Sequence, residues 1–451
     1  MSIKDLFNKS DECCRRDFVA GAAGSLLAVG AMPVLSGFAG AQGKQGKGKK
    51  TQDSQKPAPA EGQFPMRPAT AKNVIYLYMS GGMSHLDTFD TKPGTDNQGP
   101  IESINTAADG VQISQYFPEL AKHMDKVAVI NSLHSTQGAH AQGRYFMHTS
   151  YPMRGTIKHP SIGAWLNRMA GKTNPTLPAH VGVGIGANTA SAGFFESKYA
   201  PLPIGDPKAG LEDSHRHHSV DEQTFDRRLA KLQEMNTAFK GKFNHRKVRG
   251  YEDMYKEAIK LMQSDDLAAF DISEESPELQ AAYGDNQFGQ GCLLARRLIE
   301  HNVRFVEVVS GGWDTHTNNF EKMEDACPNL DQSIATLLAD LDARGLLDET
   351  LVVFATEFGR TPDIVNNGNG RNHFPKAFSG WMAGGGIVGG RKYGKTDARG
   401  AEVIENPVAV QDFNATIAYA LGLPLDFIVH SPSGRPFQVA HKGKPVRALF
   451  G

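Results

Sequence analysis

The stretch NVIYLYM, from Asn73 to Met79, is a short continuous apolar and β-branched run, the pattern of a strand covered on both faces in a parallel sheet. Similar runs recur as VAVI at Val127 to Ile130, VRFVEVV at Val303 to Val309 and TLVVFA at Thr350 to Ala355. Helical patterns separate them: YFPELAKHM from Tyr116, GCLLARRLIEHN from Gly291, and LDQSIATLLADLDARG from Leu330. In the last of these Ile334, Leu337, Leu338 and Leu341 share one face, and Gly345 suits the C-terminal stop. Strand, helix, strand in alternation predicts a doubly wound α/β fold, a mostly parallel sheet between helical layers.

With 451 residues, 40% hydrophobic and 22% charged, the chain is long enough for one large domain or two ordinary ones with a real core. We assign residues 71–451 to the α/β domain. From about 205 to 285 the pattern changes to charged helical sequence, SVDEQTFDRRLAKLQEMNTAFK and YEDMYKEAIKLMQ, without a convincing strand. This reads as a helical insertion packed on the sheet domain. A formal net charge of -1 excludes an overall field toward nucleic acid or an anionic membrane. Residues 42–70, rich in Gly, Lys, Gln, Pro and Ala, form a flexible linker.

Residues 1–41 look like an export signal. Arg15-Arg16 precede a small, weakly apolar segment from Phe18 to Phe38, and Ala39-Gly40-Ala41 forms an A-x-A cleavage site. The segment resembles a twin-arginine signal, which implies the twin-arginine translocase as a partner during export and a periplasmic or extracellular location. Its Gly- and Ala-rich composition, interrupted by Pro33, is poor for a stable membrane span. Of four cysteines only Cys292 and Cys327 lie beyond the signal, so there is no disulfide framework and no thiolate zinc site. A single bridge between them stays open.

Ligands of open α/β sheets bind beyond the carboxyl ends of the strands, so the loop after each run is where chemistry is expected. The first, SGGMSHLDTFD, carries Ser84, His85, Asp87 and Asp90. The second, NSLHSTQGAHAQGRYFMH, carries Ser132, His134, Ser135, Thr136 and His140. The third, SGGWDTHTNN, carries Asp314 and His316, and the fourth, TEFGRTPDIVNNGNGRNHFP, carries Glu357, Arg360, Asn366, Arg371 and His373. Imidazole and carboxylate without thiolate suit zinc, manganese or iron at a site that keeps an open position. Two ions about 3.5–4 Å apart would clamp both oxygens of an ester displacement, and Arg360 or Arg371 could hold an anionic oxygen by bidentate hydrogen bonds.

Each residue also has an ordinary structural use. An Asp two positions before a His is common in turns, Glu357 could pair with Arg360, and Asp87 and Asp90 could be turn residues. His215, His217 and His218 in SHRHHS fit an exposed polar loop better than a ligand cluster, and Trp165 and Trp381 fit the core. What favours metal is that four strand-end loops share one chemistry.

The motifs MSGGMSHLDTFDTKPG, HPSIGAWLNRM, SAGFFESKYAPLPIGDP, GGWDTHTNNF, TEFGRTP, GRNHFPKAFSGWMAGGGIVGGRKYGKTD and QDFNATIAYALGL resemble, in order and spacing, the exported bacterial family called domain of unknown function 1501. The resemblance covers residues 71 to 450 and extends to the alkaline phosphatase and sulfatase superfamily. It implies an alkaline-phosphatase-like sheet with one or two divalent metals at its carboxyl edge, zinc first, with manganese, iron or calcium as alternatives.

By position the resemblance makes Asp87 a first carboxylate ligand, and Asp314 and His316 the Asp and His of one site that His373 completes. Glu357 stands at a second site that loses an imidazole to Phe358. The nucleophile would follow the second strand at a helix N-terminus, where Ser132, Ser135 and Thr136 are the nearest hydroxyls and His134 or His140 a ligand or acid. The chain departs from the family in having Asn372 where an Asp is common and Met83 where a Pro is. No C-x-P-S-R or S-x-P-S-R stretch exists, which argues against formylglycine chemistry.

These readings point to an exported metal-dependent hydrolase of phosphate or sulfate esters, acting on a small-molecule or polymer substrate. The alternative is a periplasmic binding or accessory protein that keeps the fold without a competent nucleophile. A metal-free Ser/His/Asp esterase is weaker, since no G-x-S-x-G elbow is present.

Overall fold

The computed structural model describes residues 59–185, 190–243, 246–365 and 368–451. The export signal, most of the linker and Asn366 lie outside the described residues. Among the described residues nine strands form the main sheet: β1 (Asn73–Met79), β2 (Val127–His134), β3 (His180–Val183), β4 (Leu202–Ile204), β5 (Phe305–Ser310), β6 (Thr350–Thr356), β7 (Phe378–Ala383), β8 (Arg391–Tyr393) and β9 (Val408–Ala409). Their order is β8-β2-β7-β6-β1-β5-β3-β4, with β9 also on β2.

The α/β expectation holds. β1 pairs in parallel with β5 and β6, and all seven of its residues are buried, as an uninterrupted apolar run requires when both faces are covered. Two packed layers flank the sheet. One buries Leu293, Leu298, Leu330, Leu337 and Leu341 from α5 (Gln287–Glu300) and α6 (Asn319–Ala343). The other buries Phe146, Trp165 and Phe413 from α1 (His140–Thr149), α2 (Ile162–Ala170) and α7 (Val410–Ala420). Between β4 and β5 lie α3 (Glu222–Lys242) and α4 (Arg246–Met262).

Three details differ from the sequence reading. The pattern at Tyr116 becomes only a four-residue helix, Pro118–Ala121. The pattern at Leu330 extends back to Asn319 in spite of Pro328 within it, because buried Met323, Cys327 and Leu330 continue its apolar face. Residues 59–70 are not a free tether: Phe64 is buried with its ring 5.2 Å from that of Phe427, and the Arg67 N–H donates to the Gly422 carbonyl at 2.7 Å.

β7 is antiparallel to both β2 and β6. β2 therefore points the same way as β6 and β1, and the loops after β1, β2, β5 and β6 leave at one edge. Two glycines let these loops close on each other. Gly81 has φ +128°, and a Cβ there would lie 2.5 Å from the Asp314 nitrogen. A Cβ on Gly370 would lie 1.8 Å from the His316 carbonyl oxygen.

Candidate metal centre

Asp314 follows β5, His140 opens α1 after β2, and His373 arrives on a short antiparallel pairing in which it stands opposite Arg360. One ligand atom from each of His140, Asp314 and His373 lies within 4.8 Å of the others. His316 joins them: its Nε2 is 3.0 Å from His373 Nε2 and 3.1 Å from Asp314 Oδ1. His140 Nε2 is 3.2 Å from Asp314 Oδ2, and His373 Nε2 is 3.3 Å from Asp314 Oδ1. Three imidazole nitrogens and one carboxylate thus converge at the rim of the sheet.

The far nitrogen of each ring faces an acceptor. His373 Nδ1 lies 2.9 Å from the Gly138 carbonyl, His316 Nδ1 3.0 Å from Asn372 Oδ1, and His140 Nδ1 2.8 Å from Glu357 Oε1. A carbonyl or carboxylate can only accept, so each Nδ1 carries the hydrogen and each neutral ring turns an Nε2 lone pair inward. The His316 and His373 lone pairs then face each other at 3.0 Å, a repulsive contact unless a cation or proton lies between them. The donor set fits a divalent ion, and carboxylate or carbonyl support behind a ligating histidine is how such rings are held.

Glu357 was expected as a ligand; the structure puts it behind His140 instead. It is fully buried, with Oε1 accepting from His140 and from the Gly81 N–H at 2.9 Å, and Oε2 accepting from the Tyr78 hydroxyl at 2.9 Å. Burial opposes its charge, but these donors outweigh it and lower its pKa. The same Glu357 hydrogen bond raises the pKa of His140. Phe358, in place of an imidazole, lays its ring 5.1 Å from His140 and 4.6 Å from His373.

Asp87 is likewise drawn away from the ligand set. Both its oxygens accept from Arg371, at 2.9 and 3.0 Å, and Oδ2 also accepts from Asn319 at 2.8 Å. Both partners of this pair are fully buried. Arg371 spends its remaining donors on the carbonyls of Thr361, Pro362 and Asn97. Arg360, also fully buried, donates to the carbonyls of Gly81, Gly82, Arg371 and Trp313 and, at 2.5 Å, to Asp314 Oδ1. Neither guanidinium is aimed at an incoming anion. Partial burial resists the charge on Asp314, yet the Arg360 hydrogen bond and charge, with His140 and His316, hold its pKa down to about 2.

Among the hydroxyls, Ser132 is buried within β2 and donates to the Asn406 carbonyl at 2.6 Å. Ser135 accepts from the Gln137 N–H at 3.0 Å, and Thr136 is exposed. These two sit on the loop that ends at His140. His134, at the end of β2, pairs through its backbone with Ala409 and has no place in the cluster. His85 is buried with Nε2 on the Gly400 carbonyl, and Asp90 accepts from Lys92 and Asn131. His215, His217 and His218 are exposed, and Cys292 and Cys327 are free thiols. Asn372 keeps the orienting role of an Asp without its charge, and the Met83 N–H donates to Thr356 Oγ1 at 3.0 Å, which a Pro could not.

The sequence reading missed Tyr78 and the pair behind it, His148 Nε2 to Glu307 Oε1 at 2.8 Å, both almost wholly buried. The signal was a Glu inside the apolar run VRFVEVV, since a charge buried on a strand needs a partner.

No curated protein matches the sequence. Solved structures that share its general form include the PsFucS1 sulfatase from Pseudoalteromonas sp. (12% identity, 84% of this chain and 76% of that one, TM-score 0.38). Others are the lipoteichoic acid synthase LtaP from Listeria monocytogenes (11%, 80% and 74%, TM-score 0.34) and the alkaline phosphatase of the Antarctic bacterium TAB5 (12%, 70% and 92%, TM-score 0.27). Backbone agreement at this level carries no functional weight. A model of the family described as protein of unknown function DUF1501 matches residues 71–450, and the chain belongs to that family.

Proposed function

We propose that this chain is an exported metal-dependent hydrolase of phosphate or sulfate esters, with His140, His316, His373 and Asp314 as the ligand set. The observation that carries the reading is the convergence of three inward Nε2 atoms on one carboxylate, each ring held from behind by an acceptor. Three nitrogens and one oxygen suit zinc and run against calcium, which takes oxygen ligands. The chemistry a bound divalent ion supplies is Lewis acidity toward a water and toward an ester oxygen. The protein's own part is positional. Arg360 keeps Asp314 ionised and oriented, Glu357 sets the His140 tautomer, and the half-exposed edges of Asp314 and His316 leave the cluster open to substrate. Ser135 and Thr136, on the loop that ends at His140, are the hydroxyls this reading assigns to attack or to binding.

A second reading, a non-catalytic binding or accessory protein, is favoured by one observation: both arginines and Ser132 are committed to internal hydrogen bonds. Elemental analysis of the purified protein, with an aryl phosphate and aryl sulfate screen on the wild type and on Asp314→Ala, separates the two. The hydrolase reading expects bound zinc and turnover, both lost in the variant. Bound metal with no turnover of either ester supports the second reading, and protein that takes up no metal overturns the hydrolase reading.

A further inference from the structure

Helix α1 carries His140, Arg144 and His148 at successive turns, so the three form one stripe along its side. The outer two are bound to the sheet and its rim: His140 to Glu357 and Asp314, His148 to Glu307. Arg144 between them is not. It is half-buried, its Nε is covered without a partner, and its guanidinium makes no hydrogen bond or ion pair among the described residues. A covered polar nitrogen without a partner is costly, so the position calls for an acceptor that the chain itself does not supply.

Long side chains on a helix lean toward its N-terminus, which here is the turn that carries His140. Glu307 lies the other way, beside His148; its Oε2 has no partner, yet Arg144 does not pair with it. Burial, then the Glu357 charge, raises the pKa of Tyr78, and the Arg144 charge opposes them. The guanidinium is therefore near a hydroxyl that donates to Glu357, the residue behind His140. That corner is open to solvent: Val309, in register with Tyr78, is half-buried, as is Ser310, and Gly311 and Gly312 are exposed. We propose that Arg144 binds the non-bridging oxygens of a phosphate or sulfate ester beside the metal centre, a role that Arg360 and Arg371, with their donors committed to the chain, are not free to take. A guanidinium fork matches the oxygens of a tetrahedral oxyanion and stays charged at any working pH. This role rests on the hydrolase reading for the kind of anion bound.

Calorimetric titration of inorganic phosphate, and separately of sulfate, into the zinc-loaded full-length protein tests the proposal. Binding of at least one of the two anions is expected, weakened by about tenfold or more in Arg144→Gln and less in Arg144→Lys, which keeps the charge without the fork. Zinc affinity against a chromophoric chelator and the urea midpoint of the metal-free protein should match wild type, because Arg144 bonds none of the metal ligands. The lysine variant carries the comparison if the glutamine variant does not fold. Anion binding indifferent to both substitutions, loss of zinc in a folded variant, or wild type that binds neither anion would each overturn the role. Ester turnover with anion affinity unmoved by Arg144 sinks this role alone. Anion affinity that falls with Arg144 in a protein that turns over no ester sinks the hydrolase reading and leaves the oxyanion site standing.

Discussion

Replacing Glu357 tests how the metal centre is built. Its Oε1 accepts two hydrogen bonds, from His140 Nδ1 and the Gly81 N–H, and its Oε2 accepts from Tyr78. A glutamine in the same rotamer keeps both bonds at its oxygen and turns its amide toward the Tyr78 hydroxyl, which can rotate to accept. Glu357→Gln therefore removes charge and little geometry. Loss of such a partner costs about 10–100-fold in metal affinity; with the imidazole still oriented, we expect the lower end, about tenfold, or about 1.4 kcal/mol. Glu357→Ala also frees His140 and leaves the Gly81 and Tyr78 donors unpaired inside the protein, at about 1–3 kcal/mol each. It should lose closer to 100-fold and lower the unfolding free energy of the metal-free protein as well. Zinc competition against a chromophoric chelator reads the affinity, and urea unfolding in excess chelator reads the stability. Wild-type affinity in Glu357→Gln would show that the carboxylate does not support His140. Complete loss of metal in both variants would make Glu357 a ligand itself.

Asp87→Asn should destabilise the fold by about 3–5 kcal/mol, since it strands the buried Arg371 charge; urea unfolding with an unchanged midpoint but lost zinc would return Asp87 to the ligand set. Ser132→Ala should cost about 0.5–1.5 kcal/mol for its bond to Asn406 and leave any ester turnover intact, so that abolished turnover in a folded variant would identify it as the nucleophile. Burial lowers the pKa of His148, but Glu307 overrides this and raises it. The pair's contribution is therefore full below the unfolded histidine value of about 6.5 and fades as pH rises through the higher folded value. In chelator, the stability margin of wild type over His148→Gln should be larger near about pH 6 than near about pH 9, and the reverse order would refute the pairing.

The apolar runs at Asn73, Val127, Val303 and Thr350 were enough to find β1, β2, β5 and β6, because a strand buried on both faces leaves a contiguous signature that needs no partner to be seen. β7 escaped, since FSGWMA mixes Ser and Gly into a short run ahead of a triple glycine and its antiparallel place between β2 and β6 depends on both neighbours. Asp314, His316 and His373 were legible as strand-end chemistry and do meet. His140 was legible only as one of two histidines after the second strand, with His134, that could serve as a ligand or acid, and the structure brings His140 alone of the pair to the cluster.

The sequence by itself determined which side chains reach the carboxyl edge of the sheet, since strand ends follow from local periodicity. Only the tertiary structure decided their roles there. Asp87 and Asp314 are both carboxylates after central strands, yet one meets Arg371 in the dry interior and the other stands half exposed among three imidazoles. That difference comes from loop paths set by close backbone approaches such as Gly81 against Asp314 and Gly370 against His316. A carboxylate's function follows from which donors surround it, and for Asp87 and Glu357 those donors come from segments more than two hundred residues away.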